Sequence, residues 1–395
     1  MTTMKIFMFP GQGSQAKGMG AALFDRFDGL ARQASDVLGY SIRELCLDDP
    51  RDELKDTRFT QPALYVVNAL SYFARVEDGG SDPDFVMGHS LGEFNALLAA
   101  GCFDFLTGLK LVRYRGELMG RAANGAMAAI VNADQASIER MLAENGLTQL
   151  SLANYNTPSQ IVISGAAAEM TKARPLFSQG RMRFYPLATS GAFHSPFMRA
   201  AREEFARFLQ SFRFAAPRVP VISNVTARPY EPDGIDVRLA GQIDSAVRWC
   251  DSVQYLLGVA ERRGEPAVFE ELGHGEVLAR LVQTIREQTP ADLIAGLAGE
   301  ADVMAMTGEK EAEAMVGAAA PARRPGAALT DSRSAAEKVA DWNRHHPVGT
   351  RVSSTRPEYR DLVTRTEAVL LFNHRAAVYM NGYHGYFDLD ELTAV

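Results

Sequence analysis

Short apolar runs, each closed by a turn signal, organise the first 300 residues. Residues 4–9 predict a buried strand that runs into the glycine-rich turn Pro10-Gly11-Gln12-Gly13-Ser14-Gln15, with a helix following over residues 19–38. Residues 85–87 are a second such strand, preceded by the breaker cluster Gly79-Gly80-Ser81-Asp82-Pro83. After Ser90, residues 91–100 have helical composition. Strand, tight turn and helix in that order mark an α/β sheet. Runs at 219–222 and 268–272 predict further strands of the same sheet.

The rhythm changes in the middle. Residues 127–131 read as strand, 135–144 as helix, 150–153 and 160–163 as strands joined by a polar turn at 154–159, 167–178 as helix and 182–187 as strand. That βαββαβ order is the ferredoxin-like motif. It predicts a subdomain at 124–188 inserted into a larger α/β core made of 1–123 and 189–298, α/β-hydrolase-like in its strand, sharp turn with Ser90, and helix. Twelve of the 36 residues 305–340 are Ala, and Pro321 and Pro325 interrupt them. This composition predicts a linker over 299–340, with an Ala-rich helical connector as the alternative. Residues 341–395 predict a small, mostly β module, a barrel or meander. Its strands fall at 368–372, 376–380 and 386–389, with turns at Asn373-His374 and Asn381-Gly382.

With 395 residues, 47% apolar and 23% charged, the chain has globular composition and length for two or three folding units. A wholly disordered, collagenous or disulfide-scaffold chain is excluded. The net charge of −7 offers no general attraction for nucleic acid or anionic membrane. No apolar run approaches the ~18 residues of a spanning helix. Cys46, Cys102 and Cys250 are far apart and predict free thiols in a reducing compartment, with no thiolate metal site. The N-terminus has no secretory apolar region, so a cytoplasmic protein is expected.

Gly88-His89-Ser90-Leu91-Gly92 fits G-x-S-x-G between a strand and a helix. A serine on so sharp a turn sits in strained backbone, and its neighbours must lack side chains. The turn exposes the hydroxyl and places the Leu91 amide at a helix N-terminus, where it can donate to an oxyanion. A nucleophilic serine needs a base. Of seven histidines, His194 stands out in Gly191-Ala192-Phe193-His194-Ser195-Pro196, just after a strand; a surface loop histidine is the other reading. Arg115 lies among Leu111, Val112, Leu118 and Met119 at i−4, i−3, i+3 and i+4, in the middle of an apolar helix face. A buried guanidinium calls for an anionic partner and binds carboxylate by two parallel hydrogen bonds. Snorkelling or a structural salt bridge is the alternative.

Phe9-Pro10-Gly11-Gln12-Gly13-Ser14-Gln15, Thr60-Gln61-Pro62-Ala63-Leu64, Gly88-His89-Ser90-Leu91-Gly92-Glu93 and Gly191-Ala192-Phe193-His194-Ser195 occur in that order. Over residues 4–297 the chain resembles the malonyl-CoA:acyl carrier protein transacylase family, which includes polyketide synthase acyltransferases. The resemblance implies that Ser90 is acylated and that His194 serves as general base and then acid. It implies an oxyanion hole from the amides of Gln12 and Leu91. It also implies that the backbone carbonyl of Gln242 orients the histidine, although Ser245-Ala246 stands where the family usually has Asn-Pro. The pair is therefore a Ser–His dyad. Arg115 matches the arginine that holds the malonyl carboxylate, with Gln61 nearby. Phe193 resembles the malonyl-selective pattern that crowds a C2 methyl group. Asn154 and Gln160 match an Asn-x-Asn…Gln run beside the site, and capping the subdomain turn is their equal alternative.

The activity implied is malonyl transfer from malonyl-CoA to the phosphopantetheine thiol of an acyl carrier protein, with no metal or redox cofactor. A discrete chain acts in trans, and the C-terminal module favours service to polyketide synthase modules over fatty-acid synthesis. A monomer is the family expectation. The rival reading is a hydrolase that clears acyl groups from carrier proteins. Arg115 opposes it, because unloading neutral chains does not call for a buried cation. Gly11-Gln12-Gly13-Ser14-Gln15-Ala16 formally fits a dinucleotide fingerprint, but the acidic residue ending a second strand is missing.

Overall fold

The computed structural model describes residues 2–79, 81–122, 125–189, 191–297, 334–354, 362–371, 375–380, 386–389 and 392–394. The chain divides into two compact units, Met1–Ala74 with Ser81–Ala312, and Arg75–Gly80 with Glu313–Val395. The described strands of the first unit are β1 (Met4–Phe9), β2 (Phe85–Gly88), β3 (Gly125–Val131), β4 (Leu150–Thr157), β5 (Gln160–Ala166), β6 (Arg183–Pro186), β7 (Val221–Ile222) and β8 (Ala267–Glu271).

Strands β7, β2, β1 and β8 form one parallel sheet in that order. Helices cover the sheet, so β1 and β2 are buried almost throughout and, Lys5 apart, read as apolar runs. Ile6, Met8, Phe85, Met87 and Ile222 pack with Trp249, Val253 and Leu256 of the helix Trp249–Arg263. Phe9 is in register with Gly88, so β1 and β2 end side by side. The turns that follow them, at residues 10–15 and 89–91, are neighbours for that reason. This is the carboxyl edge of the sheet, where open α/β folds place their chemistry.

Strands β4, β5, β3 and β6 form a separate antiparallel sheet in that order. With the helices Gln135–Glu144 and Ala167–Leu176 they make the ferredoxin-like βαββαβ subdomain. Ile130, Ile161 and Ile163 pack on Ile138, Leu142 and Met170 of those helices. Asp134 caps the first helix by accepting from the Ser137 amide at 2.7 Å.

Two details depart from the sequence reading. The helix expected over 19–38 is two helices, Ala21–Arg26 and Asp28–Leu38, broken at Phe27, whose ring is buried edge-on to Phe73. Burying Phe27 outweighs helical continuity. The polar turn expected at 154–159 is mostly strand, because β4 continues to Thr157 with two register irregularities. Asn154, Asn156 and Thr157 are buried there. The three cysteines are free and buried.

The second unit has a helix, Ala335–His345, opened by a capping box between Ser334 and Glu337. It begins inside the stretch read as linker. Its described strands are β9 (Arg351–Ser354), β10 (Leu362–Val363), β11 (Val369–Leu371), β12 (Arg375–Tyr379), β13 (Tyr386–Asp388) and β14 (Leu392–Ala394). They form two three-stranded antiparallel sheets, β10-β9-β14 and β11-β12-β13; the three strands expected in a barrel or meander are the second of these, and the first was not expected. Val352, Leu362, Val378, Met380 and Leu392 share a core, with Val339 and Trp342 of the helix against it. The linker through residue 333 and the turns at Asn373-His374 and Asn381-Gly382 lie outside the described residues.

Candidate active site

Ser90 stands between β2 and the helix Gly92–Ala99 with φ at +52°. Left-handed backbone at a residue with a side chain is strained by about 1–3 kcal/mol and persists only where its surroundings enforce it. Here the surroundings are explicit. A Cβ on Gly88 would lie 1.9 Å from the Gly92 carbonyl carbon, and one on Gly92 would lie 1.9 Å from the Phe9 oxygen. Neither glycine of the motif can be replaced without moving backbone. Asn224 clamps the turn at both ends: its Nδ2 donates to the Gly88 carbonyl at 2.7 Å, and its Oδ1 accepts from the Ser90 amide at 2.7 Å.

The Ser90 hydroxyl is 2.7 Å from His194 Nε2. His194 is itself left-handed, at φ +57°, and buried. Its Nδ1 lies 2.9 Å from the Gln242 carbonyl and 3.2 Å from the Ser245 carbonyl. Two carbonyls at Nδ1 fix the tautomer: Nδ1 carries the proton, and the Nε2 lone pair faces the serine. Burial first, and the nearby Arg115 charge second, lower the His194 pKa to about 3. The imidazole is therefore a neutral base at any ordinary pH. The substitution of Asn-Pro by Ser245-Ala246 leaves a carbonyl in contact with the ring.

Arg115 comes from the helix Phe105–Gly120 and is buried. Its Nη1 donates to Gln61 Oε1 at 2.7 Å. Its Nη2 donates to Gln242 Oε1 at 2.8 Å and to Ser90 Oγ at 3.1 Å. Its Nε has no partner among the described residues. Burial lowers the Arg115 pKa to about 10, which leaves the guanidinium charged at neutral pH. No carboxylate forms an ion pair with it among the described residues; the salt-bridge reading of the apolar helix face is set aside. The direct partners of this cation are two side-chain amides and the nucleophile's hydroxyl, and a guanidinium in such a setting can take a carboxylate by charge-assisted hydrogen bonds.

The glycine-rich turn after β1 lies against the elbow: a Cβ on Gly11 would fall 2.3 Å from the His89 carbonyl oxygen. The Gln12 side chain is fixed by Thr57, with Nε2 3.1 Å from its hydroxyl. Neither the Gln12 nor the Leu91 backbone N–H donates to a protein acceptor among the described residues. Gln61, on the helix Thr57–Glu77, also donates to Met119 Sδ at 3.4 Å. Phe193 is buried immediately before the base.

Ser90, His194, Arg115, Gln61 and Gln242 are thus joined by hydrogen bonds. Asn154 and Gln160 are not bonded to any of them. Asn154 pairs with Val247 in a parallel bridge, and Gln160 pairs with Val131 and Thr157 within the antiparallel sheet. Sequence reasoning missed Asn156, whose Oδ1 is 2.9 Å from His89 Nε2, and it missed Asn224, Glu93, Tyr230 and the side chain of Gln242. Only Glu93 left a signal: the one charge in the run 91–100, whose other residues are apolar but for Asn95, a signal of the same kind that betrayed Arg115. Among the described residues, no group of three or more His, Cys, Asp or Glu side chains is placed to hold a metal ion.

The chain is similar to known proteins over most of its length. Residues 6–320 match the acyl transferase domain family. The chain is 51% identical over 290 residues to a polyketide biosynthesis malonyl CoA-acyl carrier protein transacylase of Bacillus velezensis, covering 73% of this chain and 99% of that one. Among solved structures it is similar to a malonyl CoA-acyl carrier protein transacylase of Burkholderia pseudomallei, at 66% identity and a TM-score of 0.73, over 73% of this chain and all of that one. It is also similar, at 34% identity and a TM-score of 0.67, to a malonyl-transacylase solved in complex with its type II polyketide synthase acyl-carrier protein. That match covers 75% of this chain and 99% of the other.

Proposed function

The chain belongs to the acyl transferase domain family, and from that premise we propose that it moves a malonyl group from malonyl-CoA to the phosphopantetheine thiol of an acyl carrier protein. The observation that carries the reading is Arg115: a buried cation 3.1 Å from the nucleophile, held by neutral groups. The malonyl carboxylate pairs with this guanidinium and sets the thioester carbonyl beside Ser90.

The reaction runs in two halves. Ser90 Oγ attacks the thioester carbonyl as its proton passes to His194 Nε2. The amides of Gln12 and Leu91 stabilise the oxyanion, a contribution of about 3–4 kcal/mol per donor in other enzymes. The intermediate collapses, the carbon–sulfur bond breaks, and coenzyme A leaves with the proton from His194. The pantetheine thiol then attacks malonyl-Ser90, gives its proton to His194, and Ser90 recovers it as the ester breaks. Phe193 crowds a C2 methyl group, which disfavours methylmalonyl. Each proton is handled by a group of this chain, and the scheme uses no metal or redox cofactor.

The names of the relatives support supply of a polyketide synthase in trans. We read the protein as a cytoplasmic monomer, with the carrier protein as partner and neither nucleic acid nor membrane. Among the described residues no helix is long and apolar enough to cross a membrane. The accessory C-terminal unit is assigned a docking or packing role.

Single-turnover mass spectrometry with malonyl-CoA, methylmalonyl-CoA and acetyl-CoA, with and without holo carrier protein, tests the scheme. A malonyl adduct on Ser90 forms and moves to the carrier, and none forms in Ser90→Ala. Arg115→Ala slows malonyl loading about a hundredfold, the effect of roughly 3 kcal/mol of lost charge-assisted hydrogen bonding. Equal loading of acetyl and malonyl groups, followed by faster release to water than to the carrier, makes the chain a hydrolase.

A further inference from the structure

Beneath the nucleophile lies a carboxylate to which the mechanism above gives no task. Glu93 is fully buried in the first turn of the helix Gly92–Ala99. A helix N-terminus accommodates an acid, but three specific donors also converge on this one. Tyr230 donates its hydroxyl to Oε1 at 2.5 Å, the Asn224 amide reaches Oε1 at 3.3 Å, and Gln242 Nε2 donates to Oε2. Every partner is a donor, which is the surrounding an ionised carboxylate requires.

The contact with Gln242 has a consequence for the whole site. A glutamine amide has two ends of opposite character and can be turned by half a revolution at little steric cost. Here Nε2 is directed at Glu93 and at the Ser90 carbonyl, 2.8 Å away. That leaves Oε1 facing Arg115 Nη2 at 2.8 Å. Turned the other way, the amide would present N–H groups to a guanidinium and an oxygen to a carboxylate. Glu93 forbids that orientation.

We propose that Glu93 is a positioning residue for substrate choice: through the Gln242 amide it holds Arg115 in the pose that reads the malonyl carboxylate. It touches no substrate atom. Its influence passes along one line, from Glu93 Oε2 to Gln242 Nε2 and from Gln242 Oε1 to Arg115 Nη2. The base is held differently, by the main-chain carbonyl of Gln242, so the line to the reader and the line to the base share a residue and not an atom. The inference rests on the reading of Arg115 as the carboxylate reader.

The substitution Glu93→Gln isolates the contact. Its Oε1 still accepts from Tyr230 and from the Asn224 amide, so the clamp on the elbow is kept. Its new NH2 group faces the NH2 group of Gln242 in place of an acceptor, which loosens that amide's hold on Arg115. Gln242→Met cuts the same line from the other side while keeping volume and the main-chain carbonyl. The readout is the ratio of malonyl to acetyl loading of Ser90, from single-turnover rates at pH 8. Burial pushes the Glu93 pKa up to about 7, so Glu93 is ionised at that pH. Each variant lowers the ratio about tenfold, and the double variant lowers it no further than either alone, since both cut one line.

A merely structural role slows both loadings by one factor and leaves the ratio in place; that result, or additive effects in the double variant, overturns the proposal. If Glu93→Gln fails to fold, judged by a lost thermal transition, the ratio in Gln242→Met decides alone. A native protein that loads acetyl and malonyl equally removes the reading of Arg115 and this inference together. A native protein that selects malonyl, with variants that select it as well, removes this inference and leaves that reading standing.

Discussion

The two sheets of the first unit divide the labour of the site unequally. The carboxyl edge of the parallel sheet carries Ser90 and, in the turns and helices around it, Gln12, Arg115, Glu93, Asn224 and Gln242. Among the described residues the antiparallel subdomain sends one direct polar contact to the elbow, Asn156 to His89 at 2.9 Å. It also braces the segment after Gln242, where the Tyr155 amide donates to the Val247 carbonyl at 2.9 Å and the Val247 amide donates back to Ala153 at 2.8 Å. One sheet supplies strained, buried backbone that holds reacting groups. The other supplies a wall that keeps the base's support in place. The strain at Ser90 sits where packing on both faces of the sheet enforces it, and the half-exposed sheet positions the segment behind the base.

Glycine substitutions offer the largest test of that contrast. At Gly92, in the parallel-sheet elbow, a Cβ would sit 1.9 Å from the Phe9 oxygen, so Gly92→Ala must displace β1 or the helix. It is expected to cost about 3 kcal/mol or more and to abolish loading of Ser90. At Gly146, in the antiparallel subdomain, φ is +65° and a Cβ would meet nothing within 4 Å. Gly146→Ala pays only for left-handed backbone, about 1 kcal/mol, and keeps activity. Urea unfolding of both variants measures the gap. Equal costs would mean that the elbow is no more tightly enforced than a surface turn.

The same contrast explains what the sequence disclosed. The elbow was legible because its geometry excludes side chains at two fixed spacings, Gly88 and Gly92, and because β1 and β2 are apolar but for Lys5. Arg115 was legible because a charge in an apolar helical stripe breaks a period. Glu93 broke a run in the same way and passed unread, since an acid in a first helical turn is ordinary on a surface. Asn224, Tyr230 and the side chain of Gln242 left no mark. They meet the elbow from more than 130 residues away, and no local period connects them. Residues 154–157 read as a turn because Asn and Thr favour turns, yet there they are strand residues buried against Val247 and His89. In the second unit, strands of two to five residues are too short to show alternation, and the sheet β10-β9-β14 went unread.

A smaller effect is expected from the subdomain's own contact. Asn156→Ala leaves His89 Nε2 buried without that partner. A lost buried hydrogen bond costs about 1–3 kcal/mol. His89 precedes the nucleophile without touching the base, so loading of Ser90 should slow only a few-fold. Thermal unfolding with single-turnover loading checks both numbers. A loss of rate as large as that of Arg115→Ala would move the subdomain from wall to working part.

The smallest expected effect is a change that should not occur. An exposed histidine titrates near pH 6.5 and stops acting as a base below it. His194 is buried beside the Arg115 charge, and both disfavour the imidazolium, which lowers its pKa to about 3. The shift is downward, so the neutral, proton-accepting form persists as the pH falls. Acetyl loading of Ser90, which does not need the carboxylate reader, should therefore hold its rate from pH 8 to pH 5. Rapid-quench acylation across that range measures it. A midpoint near 6.5 would place the base in water and return the parallel sheet's edge to the exposure of the subdomain's outer strand; a flat profile leaves the imidazole sealed, with protonation confined to the reaction itself.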